Sequence, residues 1–472
     1  MPLSPWRGLG GEAFSMRSTF STRLGAIAAA AGSAIGLGNI WRFPYMTGEN
    51  GGAAFLLIYL GAVLCLGIPL MIAEFMIGRT AHADVAGSFR KLLPGTRWYW
   101  VGAVSVFVAI VILGFYSVIS GWTLEYTWRA LTNDFQTSVA SAQLVTPDAQ
   151  ASQVLTMDFN AFATSQLPPI LWASLFIAIN AFILLGGVQK GIERASNILM
   201  PILLLLLAML CVNSLTLPGA AEGLRFLFEP DFSKVTGQTV LAACGQAFFS
   251  MSVGMGCLII YGSYMDDNTK IGKTALSVAG LDTMIAILAG ITIFPACYSY
   301  NITPNAGPSL IFITLPSVFV AMPGGYFWAL LFFILVALAA LTSTMSLLEA
   351  EVTFFDETIG MTRRRAIMVS ALITWVFCVV SSLSLGVWND YKIAGLNFFD
   401  FCDFITSNIF MPLGAAAISL FVGWKLDRQI VRDAITNRKE DSGWYLMPLI
   451  WALRVFCPAV IFLVFLKGLG LI

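Results

Sequence analysis

The chain has 472 residues, of which 58% are hydrophobic and only 11% charged, against roughly 25% charged in an average soluble protein. Lys and Arg number 26, as do Asp and Glu, so the formal net charge is zero, and the mean hydropathy is +0.82. So few charges exclude a soluble globule, and the missing basic excess excludes nucleic-acid binding. Disorder and a disulfide-stapled secreted fold are excluded too, which leaves an all-α polytopic membrane protein.

Residues 1–16 are Gly-rich and lack the apolar core of a signal peptide, so they are expected to form a flexible cytoplasmic tail, with Met16 as an alternative start. Beyond them, stretches of about 20 apolar residues predict eleven transmembrane helices. These centre near residues 34, 65, 112, 177, 205, 252, 289, 338, 376, 411 and 458. The longest polar insert runs from Thr132 to Gln166, between spans 3 and 4. Pro308 to Val320 is apolar but short and broken by proline, and is expected to be a surface hairpin capping spans 7 and 8. The eight cysteines include no CxxC pair and read as small hydrophobes between helices. His82, the single histidine, lies in a polar connector and reads as solvated.

The distribution of basic residues orients the chain. Nineteen of the 26 Lys and Arg fall in connectors on the side of the N-terminus. Five (Arg129, Arg225, Lys234, Lys392 and Lys467) fall on the other side, and Arg42 and Arg454 lie within spans. The positive-inside bias makes the N-terminus cytoplasmic, and an odd number of spans then places the C-terminus outside.

Two spans carry interruptions. Span 1 holds Gly32-Ser33-Ala34-Ile35-Gly36-Leu37-Gly38-Asn39, and span 6 holds Ser250-Met251-Ser252-Val253-Gly254-Met255-Gly256. Each glycine costs about 1 kcal/mol against Ala in a helix, so three in seven residues predict an unwound segment in span 1. Backbone groups released there cannot face lipid and must face protein or a solute. Paired interruptions in corresponding positions of two halves point to a midplane binding site in a transporter. Half-helix N-termini suit a carboxylate, and carbonyl ends suit a small hard cation.

Arg42, Glu74, Asp282, Glu349 and Asp403 lie within or at the mouths of spans, where an unpaired charge is costly. Arg42 and Asp403, of opposite sign and similar depth, are expected to pair above the site. Asp282, near mid-depth, has no cation close in sequence. Glu74 and Glu349 are expected to hydrogen-bond unwound backbone. Thr342-Ser343 in span 8 offers two adjacent hydroxyls, and Tyr116 stands one turn after Ile112 in span 3.

Several of these stretches resemble the neurotransmitter:sodium symporter family, bacterial amino-acid branch. The segment Gly32 to Tyr45 (GSAIGLGNIWRFPY) with Glu49-Asn50-Gly51-Gly52 is similar to the family's span 1, and Phe248 to Gly256 (FFSMSVGMG) to its span 6. Gly121-Trp122-Thr123-Leu124-Glu125 and Leu341-Thr342-Ser343 also fit. The resemblance implies a LeuT-type fold, with inverted five-helix repeats whose helices 1 and 6 are broken. The repeats would span 17–215 and 216–425, followed by a cytoplasmic connector and span 11 over 426–472.

It further implies sodium-coupled symport of an amino acid by alternating access, with two Na⁺. One ion would be held by Ala34, Asn39, Ser250, Asp282 and the substrate carboxylate. The other would be held by Gly32, Ile35, Ala339, Thr342 and Ser343. Substrate contacts would come from Ser33, Ala34, Leu37, Gly38, Ile112, Tyr116, Phe249, Ser250, Ser252, Met255, Ser343 and Leu347. The outer gate would be Arg42 with Asp403. The inner gate would involve Arg17, Phe20, Tyr264 and Glu357. Three departures stand out. Phe20 replaces a family Trp, Glu357 replaces an Asp with Asp356 adjacent, and Asp282 replaces an Asn. Position 286 is Ala where chloride-dependent members have Ser, while Tyr59, Gln246 and Ser250 match the remaining chloride-site positions. A built-in carboxylate at 282 would supply the charge that chloride supplies elsewhere, so transport is expected to need no chloride, with Asp282 open to protonation on the return step.

Members that carry monoamines place an acid where Gly36 stands, and Gly36 leaves room for a substrate carboxylate. Ile112, Phe249, Met255 and Leu347 would meet a large hydrophobic or aromatic side chain. The alternatives are small aliphatic amino acids, or a non-transporting amino-acid sensor on the same scaffold. No nucleophile–base pair or HExxH motif supports an enzyme. The expected partners are the substrate and the lipid bilayer, without nucleic acid or an obligate protein partner. The expected location is a bacterial inner membrane.

Overall fold

The computed structural model describes residues 18–300, 310–437 and 444–471. Regular structure in these residues is helical throughout. We number the main helices α1 (Arg23–Ala34), α2 (Gly38–Glu49), α3 (Ala53–Ala81), α4 (Tyr99–Leu131), α5 (Pro168–Leu185), α6 (Val188–Leu215), α7 (Gly237–Ser250), α8 (Cys257–Ser263), α9 (Ile271–Ser299), α10 (Leu310–Ala321), α11 (Gly325–Thr358), α12 (Arg363–Ser384), α13 (Phe398–Lys425) and α14 (Leu446–Gly468). Among the described residues nine of these are long and apolar enough to cross a bilayer, and α1 with α2, bent by 52° at a short break, makes a tenth if the pair is one span. The remaining expected span falls on α7 and α8, of 14 and 7 residues, neither of which is long enough alone.

Helix ends follow local chemistry. The Thr22 hydroxyl accepts from the Gly25 amide at 2.9 Å and starts α1. Ile35 turns extended (φ −76°, ψ 107°), which stops α1 inside the small-residue stretch. Thr236 and Thr239 form a reciprocal capping box at the start of α7. Between α7 and α8, Ser252, Gly254 and Gly256 all take positive φ (52°, 88° and 81°), a path no helix can follow.

In lipid, helices associate through close packing and hydrogen bonds, because the surrounding chains are as apolar as the helices. The seam between α3 and α8 shows this. A Cβ at Gly78 would overlap the Ile259 carbonyl oxygen, and a Cβ at Gly262 would lie 2.6 Å from the Phe75 oxygen. The two backbones touch only because both positions lack side chains. This seam fixes α8 one turn from Glu74 and so sets the 251–256 link over that carboxylate.

Two expectations are corrected. The segment expected as a surface hairpin is the helix α10, largely buried, with Leu310, Ile311, Phe312 and Val318 at 0–1% exposure. Phe312 wedges among Trp122, Tyr126 and Phe159, with ring centroids 5.6, 5.0 and 5.8 Å away. The polar insert supplies this cover, since it folds into helices Asp134–Val145 and Ala151–Ala163 over that end of the bundle. His82 is bonded as well as half-exposed. Its ring nitrogens meet the Ser263 carbonyl at 3.0 Å and Asp267 Oδ1 at 3.2 Å, where the chain turns left-handed at the end of α3. The eight cysteines are free thiols, all buried except Cys65.

Substituting Gly78 by Ala should force α3 from α8 at a cost of at least about 1–3 kcal/mol. Gly61, where a Cβ would meet nothing within 4 Å, should accept Ala without loss. Thermal unfolding of the two variants in detergent, compared with the parent, checks this contrast.

Candidate functional site

Two clusters of oxygen atoms gather around the α1–α2 break. In the first, the Asn39 side-chain amide donates to Asp282 Oδ1 (2.7 Å), the Asp282 carbonyl (3.0 Å) and Ser250 Oγ (3.1 Å). Its own Oδ1 accepts from the Gly36 amide at 3.2 Å. Ser250 Oγ donates to Asp282 Oδ2 at 2.8 Å, and the Tyr59 hydroxyl approaches the same oxygen at 3.4 Å and Ser250 Oγ at 3.3 Å. Asn39, Tyr59, Ser250 and Asp282 are all buried. Gln246 donates to the Gly38 carbonyl at 3.0 Å and leaves its own Oε1 buried without a partner.

In the second cluster, the Ile35 carbonyl meets side-chain hydroxyls of α11. Ser343 Oγ donates to it at 3.1 Å and lies 3.3 Å from the Ser33 carbonyl, and Thr342 Oγ1 approaches the Ile35 carbonyl at 3.4 Å. Thr342 also bonds back to the Ala339 carbonyl at 3.0 Å and the Leu338 carbonyl at 3.3 Å, the local habit of a helical Thr. The side chain of Thr342 packs 3.2 Å from the Cβ position of Gly32. The structure thus brings Gly32, Ile35, Ala339, Thr342 and Ser343 together, and Asn39, Ser250 and Asp282 together. Ala34 closes the last turn of α1 beside them.

Between the clusters, the Tyr116 hydroxyl accepts from the Leu37 amide at 3.1 Å. A Cβ at Gly36 would overlap Ser343 Oγ and lie 3.2 Å from the Tyr116 hydroxyl. A side chain at position 36 would therefore run into these two hydroxyl groups. Ser252 Oγ donates to the Ser33 carbonyl at 2.9 Å and Ser33 Oγ to Ser346 Oγ at 2.8 Å, so the two breaks brace each other and α11. Phe249 Cδ1 comes within 3.2 Å of the Gly38 Cβ position. Ile112, Met255 and Leu347 are buried in the same apolar cluster as Leu37 and Tyr116. Glu74 accepts from the Gly254 amide at 2.7 Å, as expected of an acid beside unwound backbone.

The charged residues at the two ends depart from expectation. Among the described residues no ion pair joins Arg42 to Asp403. The Arg42 guanidinium lies over the Phe249 ring, 4.2 Å from its centroid, and Asp403 accepts from Ser407 at 2.9 Å. The quadrupole of the ring favours a cation over its face. At the other end Arg17 lies outside the described residues. Phe20 packs edge-on to Tyr261 and Tyr264 (6.0 and 5.9 Å) and its amide donates to the Tyr264 carbonyl at 2.9 Å. Glu357 accepts from the Asp84 amide at 2.7 Å. Glu349 pairs with a cation instead of unwound backbone: Arg363 donates to both its oxygens (3.0 and 2.8 Å), and the Tyr264 hydroxyl adds a bond of 2.5 Å.

Glu193 does not stand out in the sequence. Its buried carboxylate receives the amides and hydroxyls of Ser21 and Thr22 at 2.7–3.1 Å and holds the start of α1. The only signal is an acid just after the Gly186-Gly187 turn. Arg363 reads as a connector charge, although it stands fourteen residues after Glu349 across one turn of chain.

The chain matches the sodium:neurotransmitter symporter family over residues 17–167 and 152–470. It belongs to that family. It is 36% identical over 453 residues to an uncharacterized sodium-dependent transporter of Bacillus subtilis, YhdH, covering 96% of this chain and 98% of that one. A sodium-dependent transporter of Haemophilus influenzae is 32% identical over 464 residues, with 96% and 98% covered. The crystal structure of MhsT in complex with L-phenylalanine superposes with a TM-score of 0.85 at 43% identity, covering 96% of this chain and all of that one. The symporter is therefore a sodium-coupled multi-pass membrane transporter, not an enzyme, with a LeuT-fold neighbour.

Replacing Arg363 by Ala should leave Glu349 buried with only Tyr264. Removing one member of a buried pair costs about 3–5 kcal/mol, less here because Arg363 is 28% exposed. Adding Glu349→Gln to Arg363→Ala should recover most of the loss, as read from thermal midpoints in detergent.

Proposed function

We propose that this symporter takes up a large hydrophobic or aromatic α-amino acid with two sodium ions, by alternating access and without chloride. The observation that carries the reading is the Ile35 carbonyl, released by the break in α1 and met by Thr342 and Ser343. A hard cation prefers such an all-oxygen set. One ion would take the oxygens of Gly32, Ile35, Ala339, Thr342 and Ser343. The other would take Ala34, Asn39, Ser250, Asp282 and the substrate carboxylate, which would face the Tyr116 hydroxyl and the amides near Leu37 and Gly38. Ser33, Phe249, Ser252, Met255 and Leu347 with Ile112 would surround its side chain. The phenylalanine bound by MhsT supports this size class.

In this reading α7 and α8 form one interrupted span, which makes eleven. Residues 17–215 and 216–425 are the inverted repeats, with the connector and last span at 426–472. The N-terminus is cytoplasmic and the C-terminus outside. Arg42 and Asp403 would close the outer side when Arg42 leaves Phe249. Phe20, Tyr264 and Glu357, with Arg17, would close the inner side. The chloride proposal rests on the Asp282 carboxylate, which already takes the hydrogen bonds of Ser250 and Asn39 and stands beside the Tyr59 hydroxyl. A second anion there would be repelled.

Proteoliposomes under an imposed inward sodium gradient test the proposal. Labelled phenylalanine, tryptophan or leucine should accumulate, and replacing chloride by gluconate should change nothing. Preference for glycine or alanine, or collapse without chloride, would overturn the corresponding part. Asp282→Ala should cut uptake at least about tenfold, a loss of roughly 1.4 kcal/mol in coupled binding, and chloride should restore part of it. Gly36→Ala should abolish sodium-dependent binding, because it displaces Ser343 and the Tyr116 hydroxyl together.

A further inference from the structure

Between α11 and α12 lies a second buried polar group that the transport site does not use. Glu351 is 0% exposed, and among the described residues neither of its carboxyl oxygens makes a well-formed hydrogen bond. Thr374 of α12 stands beside that carboxyl. Ser370, one turn earlier, shares the face of Thr374. Both hydroxyls are fully buried and equally without partners. Two packed helices thus leave four polar atoms unsatisfied in one region, where each lone group costs about 1–3 kcal/mol.

Among the described residues no cation pairs with Glu351. Arg363, the nearest basic residue of α12, is spent on Glu349. Residues two apart do not share a helix face, so Glu351 points away from that pair. Helix α5, packed on both α11 and α12, carries no titratable side chain. Helix α4 brings Tyr99 at its exposed end and Tyr116 at the transport site, with Glu125, Tyr126 and Arg129 at the far end. Helix α1 brings Arg23, α6 brings Lys190, Glu193, Arg194 and Cys211, and the short helix Val85–Leu92 brings Arg90 and Lys91. Cys257 of α8 is a titratable neighbour of both Glu351 and Glu74.

An isolated ionised carboxylate in such a place costs several kcal/mol. The neutral acid does not, and its O–H can donate to Thr374 or Ser370. Sodium suits the place poorly. Both helices are wound here, and the Ala350 and Glu351 carbonyls already accept from the Phe354 amide, so only four side-chain oxygens are on offer. At Ile35, by contrast, a break frees the backbone. Three residues past Glu351 the helix loosens into a π-type turn, Phe354–Thr358, which contains exposed Glu357. Six residues at 1.5 Å put Glu351 about 9 Å from that exposed residue.

We propose that Glu351, with Ser370 and Thr374, is a proton-binding site that controls opening at the Glu357 end of the symporter. The acid form is held while the α11–α12 seam is closed. When the seam loosens, water enters, the carboxyl O–H bond breaks, the proton passes to water and the carboxylate is hydrated. Opening then releases one proton. Above the ordinary carboxylate range (about pH 4.3 for Glu), the opening equilibrium gains up to about tenfold for each pH unit on that side. Acidification there locks the molecule closed.

Infrared spectra of the purified protein at neutral pH test the first half. A protonated-carboxyl band should be present, be lost in Glu351→Gln and shift in Thr374→Val. The second half rests on the transport reading and uses preloaded proteoliposomes. Sodium-dependent exchange of labelled phenylalanine should slow as the pH at the Glu357 side falls, by up to about tenfold per unit, and this slope should flatten in Glu351→Gln while sodium dependence remains. A spectrum unchanged by Glu351→Gln, or an equal pH slope in that variant, overturns the proposal. If no form of the protein exchanges phenylalanine, the substrate reading fails, and the infrared band still decides for or against a protonated Glu351. Should Glu351→Gln fail to fold, the shift in Thr374→Val decides in its place.

Discussion

A peptide group placed in hydrocarbon must find a hydrogen-bond partner inside the protein, because no water is there to supply one. The interruptions at Ile35 and at residues 251–256 violate the usual solution, an unbroken helix, and the surroundings are organised to make good the loss. Ser343 and Thr342 meet the Ile35 carbonyl, Ser252 meets the Ser33 carbonyl, and Glu74 takes the Gly254 amide. Tyr116 takes the Leu37 amide. These partners come from α3, α4, α11 and the 251–256 link itself, so a defect in one helix commits side chains on several others. The close α3–α8 contact through Gly78 and Gly262 belongs to the same logic, since it sets Glu74 in reach of the second break.

Buried charge is handled in three distinct ways. Glu349 has a cation, Arg363, and a phenol. Glu193 has, among the described residues, no cation but four donors at the start of α1, which lets a carboxylate act as a cap across two helices. Asp282 sits among Asn39, Ser250 and Tyr59, all neutral, so its charge is solvated by dipoles but not cancelled. In the proposed reading that difference leaves Asp282 to respond to an arriving cation, whereas Glu349 and Glu193 are already answered and serve to hold elements together.

How much is legible in the sequence follows from how local each signal is. The breaks are visible because glycine density is a local property, and the oxygen clusters follow because polar residues inside apolar runs are few. The burial of α10 is hidden, because it depends on Phe312 meeting Trp122, Tyr126 and Phe159 from distant segments. Glu193 is hidden for the same reason, since nothing near it in sequence announces Ser21 and Thr22. The Arg42–Asp403 expectation matches charge and depth but ignores the Phe249 face, which competes for the guanidinium. His82 looks solvated by its connector, yet α8 and the loop after it bring Ser263 and Asp267 to its ring.

The oxygen cluster at Ile35 has a further property. Its hydroxyls now donate hydrogen bonds to carbonyls, and a cation shell needs the same hydroxyls to turn their lone pairs inward. The two arrangements use the same atoms. Each hydrogen bond given up is worth about 0.5–1.5 kcal/mol net, so in the proposed reading an ion entering here would exchange one satisfied state for another. A site built this way tolerates both occupancies, and the modest difference between them is what a carrier needs if it is to take up an ion on one side and release it on the other.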